Sequence, residues 1–361
     1  MHTFSRVPKL GLATIAMLVG PAMAFSAQAH TLLEAAKKEA KVIVYSTTDS
    51  KAANPLIKAF ETKYPGVVIE FHDMNSTEVY SRYTSEQASG SNSADVVWSS
   101  SMDSAVRLAT NYAAEYASPE IPGLPSWAVW NKSAYGTTYE PTVFVYNTRL
   151  IKESEVPRTH ADLAKLVKSE PARFRNKVTT YDIEKSAVGY MLAAQDARQN
   201  PEAYWEFVKG VGAANLVLQS STGTMMERIS SGENLIGYNI LGSYAETRAA
   251  SDKAIGVAYP TDYTLVLSRI AFISKRASNP NAARVFLDFM LSREGQDVLA
   301  NQSQLASIRA DVDGDNDVDG ISKRLAGVKL TPIPVDESLL KALEQKERLS
   351  FIREWRKAAG K

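Results

Sequence analysis

The 361-residue chain is nearly neutral, with 41 Lys and Arg against 40 Asp and Glu, and it contains no cysteine. This balance argues against non-specific nucleic-acid binding, which needs a basic surface. The lack of cysteine excludes disulfides and a lipid-attachment cysteine. Without its targeting segment the chain has about 330 residues, which is too long for one ordinary core and predicts two domains.

The first 29 residues have the features of a secretory signal peptide. Arg6 and Lys9 precede an apolar run over residues 11–23, and Ala27-Gln28-Ala29 has the pattern of a cleavage site. The apolar run is too short to cross a bilayer comfortably. We therefore predict an exported protein that is periplasmic and monomeric.

The residues that follow alternate between helical and strand patterns. We predict helices over 31–41, through Leu56 to Tyr64 and over 81–89, and strands over 42–45, 67–71 and 94–98. Asn54 is the expected cap of the second helix, because Pro55 fits only a first turn. Two strands run into hydroxyl-rich loops, 46–48 and 99–101. The carboxyl ends of strands in an open α/β sheet are the expected place for a ligand.

Two stretches have the pattern of a chain that crosses between domains. Residues 136–147 begin with a polar segment and end with a buried strand over 143–146. Pro141 lies between them and suits the first residue of a strand. Residues 258–267 have the same character. Two crossings predict two lobes with a ligand-binding cleft between them. We predict a first lobe over residues 30–137 with 260–309, and a second over 138–259 with 310–361.

The alternation continues in the rest of the chain. We predict helices over 159–168 and 187–198, a helix capped by Thr224 with Glu227 at capping-box spacing, a helical pair over 281–299 and a last helix over 339–355. Strands are expected over 178–181, 216–218, 235–240 and 270–273. The acidic run Asp311–Asp319 is similar to a calcium loop but lacks Gly at its sixth position and Glu at its twelfth. We expect a solvated turn there.

The sequence contains few candidate catalytic residues. His72 and His160 are the only histidines beyond residue 30, and they have no metal-site spacing. The chain has neither a G-x-S-x-G motif nor a phosphate loop. We therefore expect no enzyme, no cofactor and no bound metal, with an exported hydrolase as an alternative from another class. Hydroxyl loops at strand ends recur instead; they suit anionic oxygens at helix N-termini, although Ser and Thr are also ordinary caps.

Six motifs occur in an order that resembles the periplasmic solute-binding proteins of ABC importers, in the branch that contains the ferric-ion-binding proteins. They are Val42-Ile-Val-Tyr-Ser46, Phe60-Glu-Thr-Lys-Tyr-Pro-Gly66, Ala94-Asp-Val-Val-Trp98, Val143-Phe-Val-Tyr-Asn147, Ser231-Gly-Glu-Asn234 and the helical motif over 281–299. The resemblance covers essentially the whole mature chain. It implies an α/β, two-lobed type 2 periplasmic binding protein fold, with a mixed sheet flanked by helices in each lobe and two crossover strands. It also implies an ABC permease in the inner membrane as partner.

The resemblance also bears on the ligand. Iron-binding members of that branch carry a histidine or similar ligand where this chain has Thr48 and Asp49, and often a glutamate where it has Ser99 and Ser100. They carry a tyrosine pair where this chain has Gly242-Ser243-Tyr244. Ferric iron prefers hard anionic oxygens to neutral hydroxyls. The expected ligand is therefore a small organic anion, a phosphate ester such as a sugar phosphate or a phosphonate, captured by hinge closure. Alternatives are ferric iron, or a role as the ligand-loaded partner of a membrane sensor.

Hydroxyl loops, with some charged and amide groups, are expected to hold the ligand. The predicted ligand-binding residues are Ser46, Thr47, Thr48, Ser99, Ser100, Thr138, Asp182, Lys185, Ser186, Asn239, Ser243 and Tyr244. Lys185 and Arg269 would neutralise the charge of the anion. Asp182 or Glu184 would accept sugar hydroxyls or an amino group, and Tyr244 would stack on the ligand or fill the hinge.

Overall fold

The structure is a computed structural model that describes the backbone from residue 21 and the side chains from residue 30. The predicted signal peptide over residues 1–29 lies outside the residues that are fully described. Strands and helices alternate along the described chain. Within that part, no helix has both the length and the apolar character needed to span a membrane.

Thirteen strands and fifteen α-helices make up the described chain. The strands are β1 (Lys41–Ser46), β2 (Val68–Asp73), β3 (Val96–Ser99), β4 (Val129–Trp130), β5 (Ala134–Gly136), β6 (Glu140–Asn147), β7 (Val178–Tyr181), β8 (Val217–Gln219), β9 (Ile236–Leu241), β10 (Ile255–Ala258), β11 (Thr264–Leu267), β12 (Ile270–Ile273) and β13 (Leu330–Pro332). The helices are α1 (Pro21–Glu39), α2 (Ser50–Lys63), α3 (Ser76–Ser89), α4 (Met102–Tyr112), α5 (His160–Ser169), α6 (Pro171–Phe174), α7 (Ala187–Gln199), α8 (Pro201–Gly212), α9 (Thr222–Ser230), α10 (Gly242–Ser251), α11 (Pro280–Leu291), α12 (Arg293–Asn301), α13 (Val318–Arg324), α14 (Ser338–Lys341) and α15 (Gln345–Ala359).

The first sheet has the strand order β2-β1-β3-β12-β5-β4. β1 is parallel to both β2 and β3, whereas β12 is antiparallel to β3 and β5. The apolar side chains of α2 and α11 cover one face, where the ring of Phe60 lies 5.2 Å from that of Phe286. Helices α3 and α4 pack on the opposite face with Tyr83 and Met102 buried. The parallel strands direct their carboxyl ends, and the loops that follow, toward one edge of this lobe.

The second sheet has the order β13-β11-β6-β9-β7-β8, with β10 also paired to β6. All eight residues of β6 are buried, and this strand pairs with β9, β10 and β11. Helices α5, α8 and α15 cover one face, where Phe207 and Trp355 are buried. The mixed sheets flanked by helices confirm the predicted α/β fold class.

The chain passes between the two sheets three times, and the last passage lies between β12 and β13. The first passage lies between Gly136 at the end of β5 and Glu140 at the start of β6, inside the predicted crossing. The return passage lies at Ser268 and Arg269, between β11 and β12. It therefore falls just after the predicted stretch 258–267, because β10 and β11 both pair with β6 and remain in the second sheet. The predicted lobe limits stay a prediction.

Several helices begin earlier than their sequence patterns indicate. Helix α2 begins at Ser50, so Pro55 lies inside it and Asn54 is not its cap. Helix α3 begins at Ser76 rather than Ser81, because Asn75 accepts from the first-turn amides and completes a capping box. Helix α9 also begins before its predicted cap. The helix N-termini consequently lie close to the strand ends.

Candidate functional site

A cavity of about 220 Å³ lies between the two lobes, and we call it the interlobe cavity. Its walls come mainly from the loops that follow β1, β2 and β3 in the first lobe and β8 and β9 in the second. The lining residues are Thr47, Asp49, Asp73, Met74, Asn75, Ser76, Ser100, Tyr181, Val188, Ser220, Ser221, Thr222, Gly223, Leu241 and Tyr244. The cavity therefore occupies the cleft position expected for a ligand in a two-lobed α/β protein.

The first-lobe wall contains a pair of hydroxyl side chains from two neighbouring loops. The amide of Ser100 donates to Thr47 Oγ1 at 2.8 Å, and Thr47 Oγ1 donates to Ser100 Oγ at 3.1 Å. Ser100 thus accepts the hydroxyl hydrogen of Thr47, and its own O–H keeps its hydrogen for another acceptor. This arrangement makes Ser100 a hydrogen-bond donor toward the cavity.

The second-lobe wall is formed by the beginning of α9, a helix of nine residues. Ser221 Oγ accepts from the amide of Thr224 at 3.2 Å. Thr222 and Gly223 stand in the first turn, where amides have no intrahelical acceptor and carry the partial positive charge of the helix terminus. The hydroxyl of Tyr181 is hydrogen-bonded to that of Thr222. Amides and hydroxyls at this wall suit an anionic oxygen.

A buried ion pair lies where the chain passes between the lobes. Arg269 Nε is 2.8 Å from Glu140 Oε1 and Nη2 is 3.1 Å from Oε2, and both side chains are 0% exposed. Arg269 Nη1 also donates to the carbonyl of Thr47 at 3.2 Å and to Thr48 Oγ1 at 3.1 Å. Arg269 was expected to neutralise the ligand, but its charge is already balanced by Glu140. Arg269 is therefore a partner of Glu140 in this structure and not a free charge for the anion.

Tyr244 connects the second lobe to the loop after β1. Its hydroxyl accepts from the amide of Asp49 at 3.2 Å, and its ring centre lies 5.2 Å from the guanidinium carbon of Arg269. Burial raises the pKa of Tyr244, so the phenol stays neutral at physiological pH. Tyr244 therefore lines the cavity as a neutral aromatic side chain that links the second lobe to the loop after β1.

The two lobes also touch at the opening of the cavity. Ser76 Oγ accepts from the amide of Val188 at 3.2 Å, and Thr77 Oγ1 donates to the carbonyl of Lys185 at 2.8 Å. The start of α3 in the first lobe thus meets the start of α7 in the second. The structure accordingly has the lobes in contact on both sides of the cavity, which is a closed arrangement.

The predicted site residues separate into several groups. Thr47, Ser100 and Tyr244 line the interlobe cavity together. Ser46, Ser99 and Ser186 instead accept from nearby backbone amides, at 3.0, 3.2 and 3.3 Å. Thr48, Thr138 and Ser243 belong to the buried ion-pair network, where Thr138 donates to Glu140 Oε1 at 2.7 Å and Ser243 donates to the other carboxylate oxygen.

The three remaining predicted residues lie away from the lining. Asp182 Oδ2 is 3.5 Å from Lys185 Nζ, and the lysine side chain is 78% exposed. Asn239 donates to the buried Asp196 at 2.6 Å inside the second lobe. A part in ligand binding for all twelve residues stays a prediction.

Sequence reasoning did not include several of the lining residues among the predicted ligand-binding residues. Asp49 directly follows the first hydroxyl loop, and Asp73 ends β2. Asp73 accepts from the amide of Ser50 at 2.8 Å. Burial and the nearby charge of Asp73 raise the pKa of Asp49. Tyr181 ends β7, where a tyrosine fits the β-branched and aromatic pattern of a strand and gives no sign of a ligand contact.

The metal-ligating side chains are dispersed in the part of the chain that is described. No group of three or more His, Asp or Glu side chains is gathered there as a metal ion would require. In the acidic run, Asp311 pairs with Arg309 at 2.6 Å, and Asp317 accepts from the amide of Gly320 as the cap of α13. These carboxylates have structural partners within the fold.

Comparison with known proteins identifies the family to which the chain belongs. Residues 55–322 match the model of the bacterial extracellular solute-binding proteins, and the chain belongs to this family. The substrate-binding protein of an ABC transporter from Agrobacterium tumefaciens is 34% identical, with 88% of this chain and 94% of that chain covered and a TM-score of 0.84. The protein is thus a substrate-binding component of an ABC transporter, as predicted. No curated protein matches the chain.

Two more distant structures share the fold alone. The periplasmic binding protein AfuA from Actinobacillus pleuropneumoniae, with fructose-6-phosphate bound, is 19% identical with a TM-score of 0.73, covering 89% of this chain and 98% of that chain. Iron-bound HitA from Pseudomonas aeruginosa is 21% identical with a TM-score of 0.71, covering 87% and 99%. The two neighbours carry unlike ligands, so the fold does not select between a phosphate ester and iron.

The buried ion pair generates a prediction about stability. Arg269→Met leaves the Glu140 carboxylate buried without its partner, and we expect unfolding to become easier by about 3–5 kcal/mol. The double variant Arg269→Met, Glu140→Gln should lose less than the sum of the single variants. Urea unfolding of the full chain measures this.

Arg158→Met is the matched control, because Arg158 pairs with Glu153 at 3.2 Å on the surface. Surface pairs of this kind contribute little to stability, so no measurable change is expected. Equal losses for Arg269→Met and Arg158→Met would contradict the importance of the buried pair.

Proposed function

We propose that the protein is periplasmic and captures a small organic anion, a phosphate ester or a phosphonate, for delivery to an ABC permease. The observation that carries this proposal is the first turn of α9 at the interlobe cavity, with hydroxyls on both walls. Ser100 supplies a hydroxyl donor from the first lobe. Thr222 and Gly223 supply first-turn amides from the second. Several neutral donors around one cavity suit an anion with several oxygens.

The size of the cavity favours the smaller members of this class. Pockets for drug-sized ligands are typically about 300–1,000 Å³, and the interlobe cavity has about 220 Å³. A phosphate or phosphonate with a short carbon chain fits that volume better than a hexose phosphate.

Hinge closure explains how such a ligand would be held. The donors belong to two lobes, so an oxyanion finds all of them only when the lobes are together. A ligand can shift the lobes toward closure only by its differential affinity for that state. The passages at 137–139 and 268–269 are the places where the backbone can absorb the change in angle. The permease would then receive the closed, loaded form.

The alternative of ferric iron has less support. Two tyrosines, Tyr181 and Tyr244, line the cavity. Burial raises the pKa of each phenol and opposes the tyrosinate form that would bind iron. The carboxylates at the cavity, Asp49 and Asp73, are not joined there by a histidine or a third carboxylate among the described residues.

A ligand panel tests the proposed function. Thermal unfolding would be compared with short-chain phosphonates, glycerol phosphate, hexose phosphates, neutral sugars, amino acids and dicarboxylates at equal concentration. A ligand at 100 times its dissociation constant stabilises the protein by about 2.7 kcal/mol. We expect the largest shift from a small phosphonate or phosphate ester. A shift with a neutral sugar or a dicarboxylate and none with any phosphorus compound would contradict the proposal.

Ser100→Ala tests the first-lobe donor with the ligand found in this way. Loss of a hydrogen bond to a charged group should weaken binding by about 1–3 kcal/mol, or roughly 5- to 150-fold in Kd. Ser251→Ala is the control, because Ser251 is exposed at the end of α10. Titration calorimetry on both variants measures the difference, and an unchanged Kd for Ser100→Ala would remove this residue from the site.

Ferric loading tests the iron alternative directly. Protein mixed with ferric citrate and then desalted should remain colourless, because charge transfer in the visible range needs a tyrosinate bound to iron. A stable visible band with one iron per chain, lost in Tyr244→Phe, would overturn this expectation. Tyr259→Phe is the control, because Tyr259 is hydrogen-bonded to Glu246 outside the interlobe cavity.

A further inference from the structure

The interlobe cavity has two chemically different sides. Asp49 and Asp73 lie on the first-lobe side, whereas the first turn of α9 and its hydroxyls lie on the second-lobe side. Arginine, lysine and histidine are all missing from the residues that line it in the described chain. The only formal charges at the cavity wall are therefore the two carboxylates.

The nearest cations, Arg269 and Lys185, form no ion pair with these carboxylates. Arg269 is held by Glu140 through two hydrogen bonds of 2.8 and 3.1 Å, and both groups are fully buried. Lys185 pairs with Asp182, and its side chain is 78% exposed. Asp49 forms no ion pair and accepts no side-chain hydrogen bond from the described residues, while Asp73 caps α2 through Ser50. The Asp49 carboxylate is available to a ligand.

An oxyanion without a cationic group would bind weakly in such a cavity. A phosphonate at the α9 end would gain amide and hydroxyl donors, but it would share the cavity with two exposed carboxylates. Like charges at close range raise the free energy of the ionised pair. A cationic group on the same ligand, placed at the carboxylates, would turn this repulsion into charge-assisted hydrogen bonds.

We propose that the ligand is a zwitterion, one small molecule that carries an ammonium group for Asp49 and Asp73 and an oxyanion for the first turn of α9. The inference rests on the proposed function and narrows it to aminoalkyl phosphonates and aminoalkyl phosphates. The small volume of the cavity favours a short carbon chain between the two charged groups. Asp49 recognises the ammonium group, and Asp73 supports it by adding negative charge.

A matched pair of probes tests the ammonium group. 2-Aminoethylphosphonate and propylphosphonate have the same number of heavy atoms, and they differ by an ammonium group in place of a methyl group. We expect wild-type protein to bind 2-aminoethylphosphonate roughly 10- to 150-fold more tightly, the range for a charged hydrogen bond. Titration calorimetry with the full chain measures both dissociation constants.

Asp49→Asn tests the residue. The variant should bind 2-aminoethylphosphonate at least about tenfold more weakly, while its affinity for propylphosphonate stays equal or improves because a repulsive charge is gone. Asp313→Asn is the control, since Asp313 is 88% exposed and far from the cavity lining. Unchanged unfolding midpoints would show that both variants are folded.

The possible failures are distinguishable. Equal affinity of wild-type protein for the two probes would overturn the zwitterion inference and leave the proposed function intact. Binding of β-alanine with no binding of either phosphonate would overturn the proposed phosphorus oxyanion, and binding of none of the three would do the same. Equal losses of both phosphonates in Asp49→Asn would show that Asp49 supports the fold of the loop and does not contact an ammonium group.

Discussion

The ion pair between Arg269 and Glu140 is the interaction on which the cleft depends. Glu140 stands at the first passage between the lobes and Arg269 at the second, so the pair ties these two crossing segments together. Burying two charges is costly unless their geometry and additional hydrogen bonds compensate. Here Thr138 and Ser243 also donate to Glu140. The network therefore holds the two crossing segments against each other where they pass between the lobes.

The same pair determines the electrostatics of the binding site. Because Arg269 reaches the carbonyl of Thr47, it also positions the first hydroxyl loop under the cavity. Its charge is balanced by Glu140 and is not available to a ligand. Attraction for an anion then depends on helix amides and hydroxyls, which are neutral groups. For the proposed ligand, selectivity in this nearly neutral protein would therefore come from the local arrangement of donors and carboxylates.

The sequence predicts the strands better than the helix starts or the site. Strands β7 and β12 match their predicted limits, because dense β-branched and aromatic runs leave few alternatives. Helix starts depend on which of several polar residues becomes the cap. Asn75 caps α3, so the helix begins at Ser76, five residues before its predicted start at Ser81. Thr47, Ser100 and Tyr244 line the cavity, whereas Asp73 and Tyr181 needed the three-dimensional fold to bring them there.

The division of the cavity between the lobes links recognition to closure. The first lobe contributes Ser100 with the two carboxylates, and the second contributes the α9 amides and the ring of Tyr244. A ligand that contacts one lobe alone stabilises the open and closed states almost equally. Such a ligand does not shift the population between the two states. Under the zwitterion proposal, each end of the ligand finds its partners on a different lobe. The closed state is then stabilised by contacts at both ends of the ligand. A molecule that lacks either charge stabilises the closed state less, so selection between ligands takes place at closure.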